Sequence, residues 1–89
     1  MTKEQILLFV REQDGEDSKV ELYDGFEDAF MGLGFRGTEV VAVYDYEKCE
    51  DTLIVRDGMS RISAEKFFSH LVSGLYVSEH TPVFTVRPQ

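Results

Sequence analysis

Cysteine and long apolar runs are nearly absent from this chain. Cys49 is the single cysteine in 89 residues, so no disulfide can form within the chain, a pattern typical of a reducing compartment. The apolar run near the N-terminus, ILLFV at positions 6–10, is too short for a signal-peptide core or a membrane span. We therefore expect a cytoplasmic protein without membrane contact, and the length predicts one domain.

Positive charge is scarce as well. Residues 1–51 hold 14 Asp/Glu and five Lys/Arg, a net charge of −9, whereas residues 52–89 hold three and four, a net charge of +1; together they give the chain its −8. An acidic surface repels phosphate backbones, which argues against direct nucleic-acid binding, and it attracts basic protein surfaces. The less specific interpretation is that the acidity only keeps the protein soluble.

Recognisable catalytic and metal-binding patterns are missing too. The two histidines, His70 and His80, are ten residues apart, whereas zinc ligands usually occur in pairs about two to five residues apart. DGED and YDGFED do not fit a calcium loop. Cys49 falls on an inward helical stripe, where cysteine behaves as a small apolar residue. The sequence therefore predicts no catalytic residue, no metal ligand and no cofactor.

The stretch FMGLGFRGTEVVAVYD, positions 30–45, predicts the centre of the fold. Glycine followed by Thr38 suits a type II′ turn at Gly37, which predicts a β-hairpin over about 28–36 and 39–45. This register pairs apolar residues on one face: Phe35 with Val40, Leu33 with Ala42, and Met31 with Tyr44. The other face pairs Gly34 with Val41, Gly32 with Val43, and Phe30 with Asp45, and its glycines leave a shallow trough. A helix here would carry internal glycines at about 1 kcal/mol each, so the hairpin is favoured.

Three helices are predicted around this hairpin, over about 2–13, 46–57 and 61–76. Thr2 and Gln5 form a capping box, which favours a helix over the alternative of a strand at ILLFV. Asp45 suits the N-cap of the second helix, and Ser60 suits that of the third. Two inward stripes are expected: Tyr46, Cys49 and Leu53 on the second helix, and Ala64, Phe67, Phe68, Leu71, Val72 and Leu75 on the third.

The C-terminal segment PVFTV, positions 82–86, predicts a last strand, with Pro82 at its start or on a sheet edge. The order of elements then predicts an α+β domain, in which a small antiparallel sheet packs with about three helices.

Several segments resemble a family of small proteins from tailed bacteriophages: YDGFEDAFMGLGFRG, VAVYDYEKC, RDGMS followed by AEKFF, and GLYV followed by TPVF. The resemblance covers about residues 23–86. The chain departs from the family at SHL, positions 69–71, where an acidic-aromatic-Asn run is usual. The resemblance implies a phage-encoded accessory protein located in the host bacterial cytoplasm, and it supplies no activity.

Aromatic and acidic residues cluster at two places that the hairpin brings to one end of the sheet, since Phe30 would face Asp45. This candidate protein-binding surface comprises Tyr23, Asp24, Phe26, Glu27 and Asp28 before the first strand, and Asp45, Glu47, Glu50 and Asp51 around the start of the second helix. Aromatics among carboxylates are typical of an interface. Alternatively, Tyr23 and Phe26 fold over the core, since a small domain needs its aromatics there.

These observations favour a non-enzymatic phage protein that uses its acidic surface to bind another protein of the host or the phage, such as a host enzyme. The first alternative is a self-associating protein, for example a homodimer, that uses the glycine-bearing face or the edge of the last strand. The second alternative is a small enzyme or a ligand-binding protein.

Overall fold

The chain folds into three helices and a three-stranded sheet, which confirms the predicted α+β class. The computed structural model describes residues 1–74 and 79–88, and for residues 71–74 it describes the backbone. The elements are α1 (Lys3–Asp14), a short 3₁₀ helix (Glu27–Ala29), β1 (Phe30–Arg36), β2 (Glu39–Asp45), α2 (Tyr46–Asp57), α3 (Arg61–Gly74) and β3 (Val83–Thr85). The sheet order is β1-β2-β3, so β2 is the central strand.

The hairpin turn lies where the sequence predicts it. Gly37 has a φ of 62°, and Thr38 does not have a positive φ, which is the pattern of a type II′ turn. Four of the predicted pairs are observed: Phe35 with Val40, Gly34 with Val41, Leu33 with Ala42, and Gly32 with Val43. The register near the turn is therefore confirmed.

The predicted register is wrong at the end of β1 that lies away from the turn. A bulge lies between Phe30 and Gly32, so Phe30 pairs with Tyr44 in place of the predicted Met31. Gly32 has a φ of 138°, a backbone conformation that only glycine adopts readily. The bulge turns Phe30 toward the core, where its ring meets Tyr44 edge-on with centroids 5.7 Å apart. The extra residue, Met31, is half exposed and accepts a hydrogen bond on its Sδ from Thr85 Oγ1 at 3.0 Å.

The sheet is mixed, whereas the prediction made it antiparallel. β3 pairs parallel to β2, with Val43 beside Val83, Tyr44 beside Phe84, and Asp45 beside Thr85. The physical reason is the connection, because α2 and α3 return the chain to the end of the sheet where β2 begins. Pro82 lies just before this edge strand, as its missing N–H requires.

Helix ends follow the predicted capping residues. Thr2 Oγ1 accepts from the amide of Gln5 at 3.2 Å, and the Gln5 side chain accepts from the amide of Thr2 at 2.8 Å. Ser60 Oγ accepts from the amide of Ser63 at 3.1 Å and so caps α3. The inward stripe of α2 is confirmed, because Cys49 and Leu53 are buried and Tyr46 packs against the core.

The stripe of α3 is only partly as predicted. Ala64 and Phe68 are fully buried, but Phe67 is 43% exposed, so its prediction as a core residue is wrong. Phe67 meets the ring of its neighbour Phe68 edge-on from the rim of the core. The side chains of Leu71 and Val72, and Leu75 with residue 76 of the predicted helix, lie outside the described residues.

Aromatic rings from separate elements build the core. Phe84 packs against Tyr23, Tyr44, Tyr46 and Phe68, with ring centroids 5.5 to 6.4 Å apart. Such offset and edge-on pairs add about 0.5–1.5 kcal/mol each beyond the area they bury. The core therefore ties β2 and β3 to α2, α3 and the segment before β1.

The turn supports a test of the hairpin. We expect Gly37→Ala to lower the free energy of unfolding by about 1–2 kcal/mol, because an L side chain is strained at positive φ. The neighbouring variant Thr38→Ala should change it by less than about 0.5 kcal/mol. Urea unfolding of both variants measures the difference; equal stability of the two would contradict the observed turn.

Candidate protein-binding surface

The structure brings the two predicted acidic groups together, since the 3₁₀ helix Glu27–Ala29 packs against α2. Between them lies a groove of about 590 Å³, which we call the α2 groove. Its walls are Gly25, Asp28, Lys48, Asp51, Thr52, Val55 and Arg56. Asp28 comes from the first predicted group and Asp51 from the second. The predicted route, a pairing of Phe30 with Asp45, is wrong, and helix packing takes its place.

Arg56 holds the loop at Gly25 against α2. Its Nη1 donates to the carbonyl of Gly25 at 2.8 Å, and its guanidinium lies 5.3 Å from the ring centroid of Phe26. Nε and Nη2 donate to the carboxylate of Asp57 at 3.0 and 3.1 Å. This pair raises the pKa of Arg56 and lowers that of Asp57, mainly through the hydrogen bond between them. Arg56 thus joins two walls of the groove, the loop at Gly25 and α2.

The two aromatic residues of the predicted surface pack inward, as the alternative interpretation expects. The Tyr23 ring stacks on Phe84 with centroids 5.5 Å apart and planes at 15°. Burial raises the pKa of Tyr23 to about 12. The Phe26 ring meets Phe68 edge-on at 5.5 Å. Both are half-buried and hold the core together, so their faces are not presented to a partner.

Asp45 is buried and serves the fold. Its side chain is the N-cap of α2, accepting from the amide of Lys48 at 3.3 Å, and it forms an ion pair with Arg87 Nε at 3.1 Å. A carboxylate that caps a helix and pairs with an arginine is electrostatically satisfied. Asp45 therefore lies beneath the predicted surface.

Glu50 is buried in a less favourable way. It is 6% exposed on α2, and among the described residues its Oε2 has no hydrogen-bond partner. Burial, followed by the nearby carboxylate of Glu65 on α3, raises the pKa of Glu50. Sequence reasoning missed this burial, because a glutamate next to Cys49 on a helix is normally at the rim.

The remaining predicted residues lie at or near the surface. Asp24 is exposed and pairs with Lys3 Nζ at 3.0 Å, while the half-buried Asp51 pairs with Arg61 at 3.0 Å. Asp28 and Glu47 are exposed, and Glu27 is half-buried. The accessible acidic set near the α2 groove is thus smaller than predicted, and we call it the acidic rim: Asp24, Asp28, Glu47 and Asp51.

Val55 is the groove residue that sequence reasoning missed. It is 85% exposed in the last turn of α2. A usable signal exists: Val55 follows the buried Leu53 by two positions, about 200° around the helix, and so faces away from the core. Single exposed apolar residues are common on protein surfaces, so the significance of Val55 lies in its place in the groove beside Asp28 and Asp51.

Groups that commonly serve catalysis lie elsewhere. Burial raises the pKa of the Cys49 thiol to about 12, so it does not supply a thiolate at neutral pH. His70 is exposed on α3, and His80 lies beside Glu39. The α2 groove itself is concave and carries polar side chains, which is the feature that the enzyme or ligand-binding alternative requires.

No protein-family model matches the chain, and neither a curated protein nor a solved structure matches it significantly. Within residues 1–74 and 79–88, no helix combines the length and apolar character that crossing a lipid bilayer requires.

Glu50 gives a pH-dependent prediction. Because its folded-state pKa lies above the ordinary value of 4.5, the folded state binds this proton more tightly than the unfolded state. The stabilising contribution of protonated Glu50 to the free energy of unfolding is fully present below pH 4.5 and is lost as the pH rises through the folded-state pKa of this residue. We expect Glu50→Gln to raise the free energy of unfolding by about 1 kcal/mol at pH 7 and to have a smaller effect at pH 4. Urea unfolding at both pH values measures this.

The control for this prediction is Glu12→Gln, which changes an exposed carboxylate on α1. It should leave the stability within about 0.5 kcal/mol at both pH values. A loss of stability in Glu50→Gln at pH 7 would contradict the conclusion that burial disfavours the charged form of Glu50.

Proposed function

We propose that this chain is a phage-encoded, non-enzymatic protein that binds a basic surface of another protein, such as a host enzyme, through the acidic rim and the α2 groove. The observation that carries the proposal is that the exposed Val55 lines the same groove as Asp28 and Asp51. The phage origin rests on the sequence resemblance over about residues 23–86.

The chemistry of the groove fits a protein partner. Interfaces pair a small apolar centre with a polar rim, and Val55 and the acidic rim supply these two parts. Lys48 and Arg56 also line the groove. Asp57 pairs with Arg56, as Lys3 and Arg61 pair with Asp24 and Asp51 of the acidic rim. The net charge of −8 adds a long-range field that attracts basic surfaces and increases the rate of encounter.

The field also disfavours nucleic acid as the direct ligand, since phosphate is repelled by the same charges. A protein that binds nucleic acid through a basic surface is therefore a suitable class of partner. Binding at that surface would compete with the nucleic acid.

Capture experiments test this proposal with matched pairs of variants. We expect the tagged protein to retain a partner from lysate of infected host cells at about 50 mM salt and to lose most of it at about 500 mM, because salt screens contacts between exposed charges. Asp28→Lys and Val55→Ser should each weaken capture at least about tenfold, the loss of a strong interface residue. Quantitative mass spectrometry of the eluates measures the retained partner.

Two controls lie away from the groove. Glu12→Lys makes the same change of charge on α1, and Ile62→Ser removes an exposed apolar residue on α3. Both should retain the partner. Capture that is insensitive to salt, or that falls equally in the controls, would count against the proposal.

Self-association is a second candidate, and β1 favours it. β1 lies at the edge of the described sheet, and Phe35 near its end is 79% exposed. Exposed apolar edge strands pair readily with other strands. The strand also has no carboxylate, although the chain is acidic, so two copies could pair here without direct charge repulsion. The glycine-bearing face is less open than predicted, because Val41 on it is fully buried.

Light scattering separates the two candidates. Binding to a different protein predicts the monomer mass of 10.2 kDa at micromolar concentration. Self-association through β1 predicts twice that mass, reduced to the monomer value by Phe35→Ser and unchanged by Ile62→Ser. A stable dimer that Phe35→Ser does not affect would remove β1 as the contact.

A further inference from the structure

Two glutamates and a histidine from distant parts of the chain meet at the turn end of the sheet. Glu39 begins β2 directly after the hairpin turn, while Glu79 and His80 precede β3. One possible ligand atom from each residue lies within 4.8 Å of the other two. Spacing rules could not reveal the cluster, because Glu39 lies far in sequence from the neighbouring pair Glu79 and His80.

The distance between His80 and Glu39 is informative. His80 Nδ1 lies 3.7 Å from Glu39 Oε2, which is too long for a hydrogen bond. Two ligands on a tetrahedral zinc ion, each about 2.0–2.1 Å from the metal, are about 3.4 Å apart. The observed separation is close to that value, and rotation of the exposed Glu79 side chain can close the third position.

The setting favours a cation. Glu39 and His80 line a groove of about 310 Å³, which we call the hairpin groove, and Asp14 and Asp17 lie on its walls. Its other lining residues are Ser18, Lys19, Thr38 and Val40. Asp14, Asp17, Glu39 and Glu79 thus bring four carboxylates to this region, against the two cations Lys19 and Arg36. Nη1 of Arg36 donates a hydrogen bond to the carbonyl of Glu79 at 3.3 Å. The local charge is therefore negative.

The ligands stand on ordered backbone. Glu39 pairs with Arg36 in the hairpin ladder, and the buried Thr81 and Pro82 fix the chain directly after His80. The His80 side chain is 21% exposed, so its ring is partly held by its surroundings and yet accessible from the groove. A site presented by fixed elements loses little conformational freedom when an ion binds.

From this arrangement we propose that Glu39, Glu79 and His80 bind a divalent first-row transition-metal ion, with zinc as the probe. An imidazole with two carboxylates suits such ions, whereas calcium and magnesium prefer oxygen ligands alone. Three protein ligands leave the fourth position of the ion for water. The bound ion would link the start of β2 to the chain before β3.

Calorimetric titration of the full chain with zinc at neutral pH tests the site. We expect one ion per chain, and at least tenfold weaker binding in Glu39→Gln and in His80→Gln. His70→Gln removes the other histidine, from α3, and should bind zinc as the original chain does. Magnesium at the same concentration should give no heat of binding. Circular dichroism of each variant verifies that it remains folded.

A second readout does not depend on heats of binding. Saturating zinc should raise the melting temperature of the original chain and of His70→Gln, and leave that of His80→Gln unchanged, because an ion that binds only the folded state stabilises it. Absence of binding at about 100 μM zinc would overturn the proposal. Binding that His70→Gln weakens as much as His80→Gln does would overturn it as well.

Discussion

The burial of Tyr44 at the centre of β2 is the constraint on which the rest of this structure depends. Its ring is almost completely buried, and its hydroxyl accepts a hydrogen bond from the amide of Tyr23 at 2.9 Å. Burial raises the pKa of Tyr44, so the hydroxyl stays neutral. A buried hydroxyl without a partner would cost about 1–3 kcal/mol, and this hydrogen bond therefore fixes the path of the segment before β1.

That path determines where the surface groups lie. Because Tyr23 is held over β2, the next residues, Gly25 and Phe26, run beside α2. There Arg56 donates a hydrogen bond to the carbonyl of Gly25 and its guanidinium lies over the ring of Phe26. The bulge at Met31 also adds to the packing around Tyr44, because it turns Phe30 into the core beside the Tyr44 ring. The α2 groove is a consequence of this packing, and Asp28 and Asp51 are the carboxylates that line it.

Local signals in the sequence were sufficient for much of the fold. The capping residues Thr2, Asp45 and Ser60 and the glycine at the turn each act within a few positions, so their patterns could be read directly. The bulge could not be predicted, because it depends on how Phe30 packs against a ring from another strand. The direction of β3 was missed for a similar reason, since it depends on the crossover through two helices.

For the candidate surface, too, the features that depend on packing between distant elements were the ones that sequence could not predict. The prediction that the groups of Asp28 and Asp51 lie near one another was right, although the strand pairing from which it was drawn is wrong and helix packing brings them together. The burial of Glu50 beside Glu65 of α3 depends on the packing of two helices, which the sequence of α2 alone does not reveal. The approach of His80 to Glu39 is likewise a product of the tertiary fold. Sequence thus located the acidic region and missed which of its members are accessible.

The most direct test of this account is the strand register measured by nuclear Overhauser effects in solution. We expect cross-strand contacts that place Phe30 opposite Tyr44 and Gly32 opposite Val43, together with contacts between the Tyr23 amide proton and the Tyr44 ring. Contacts that place Met31 opposite Tyr44, in a regular hairpin without the bulge, would contradict it, and the α2 groove would lose its structural basis.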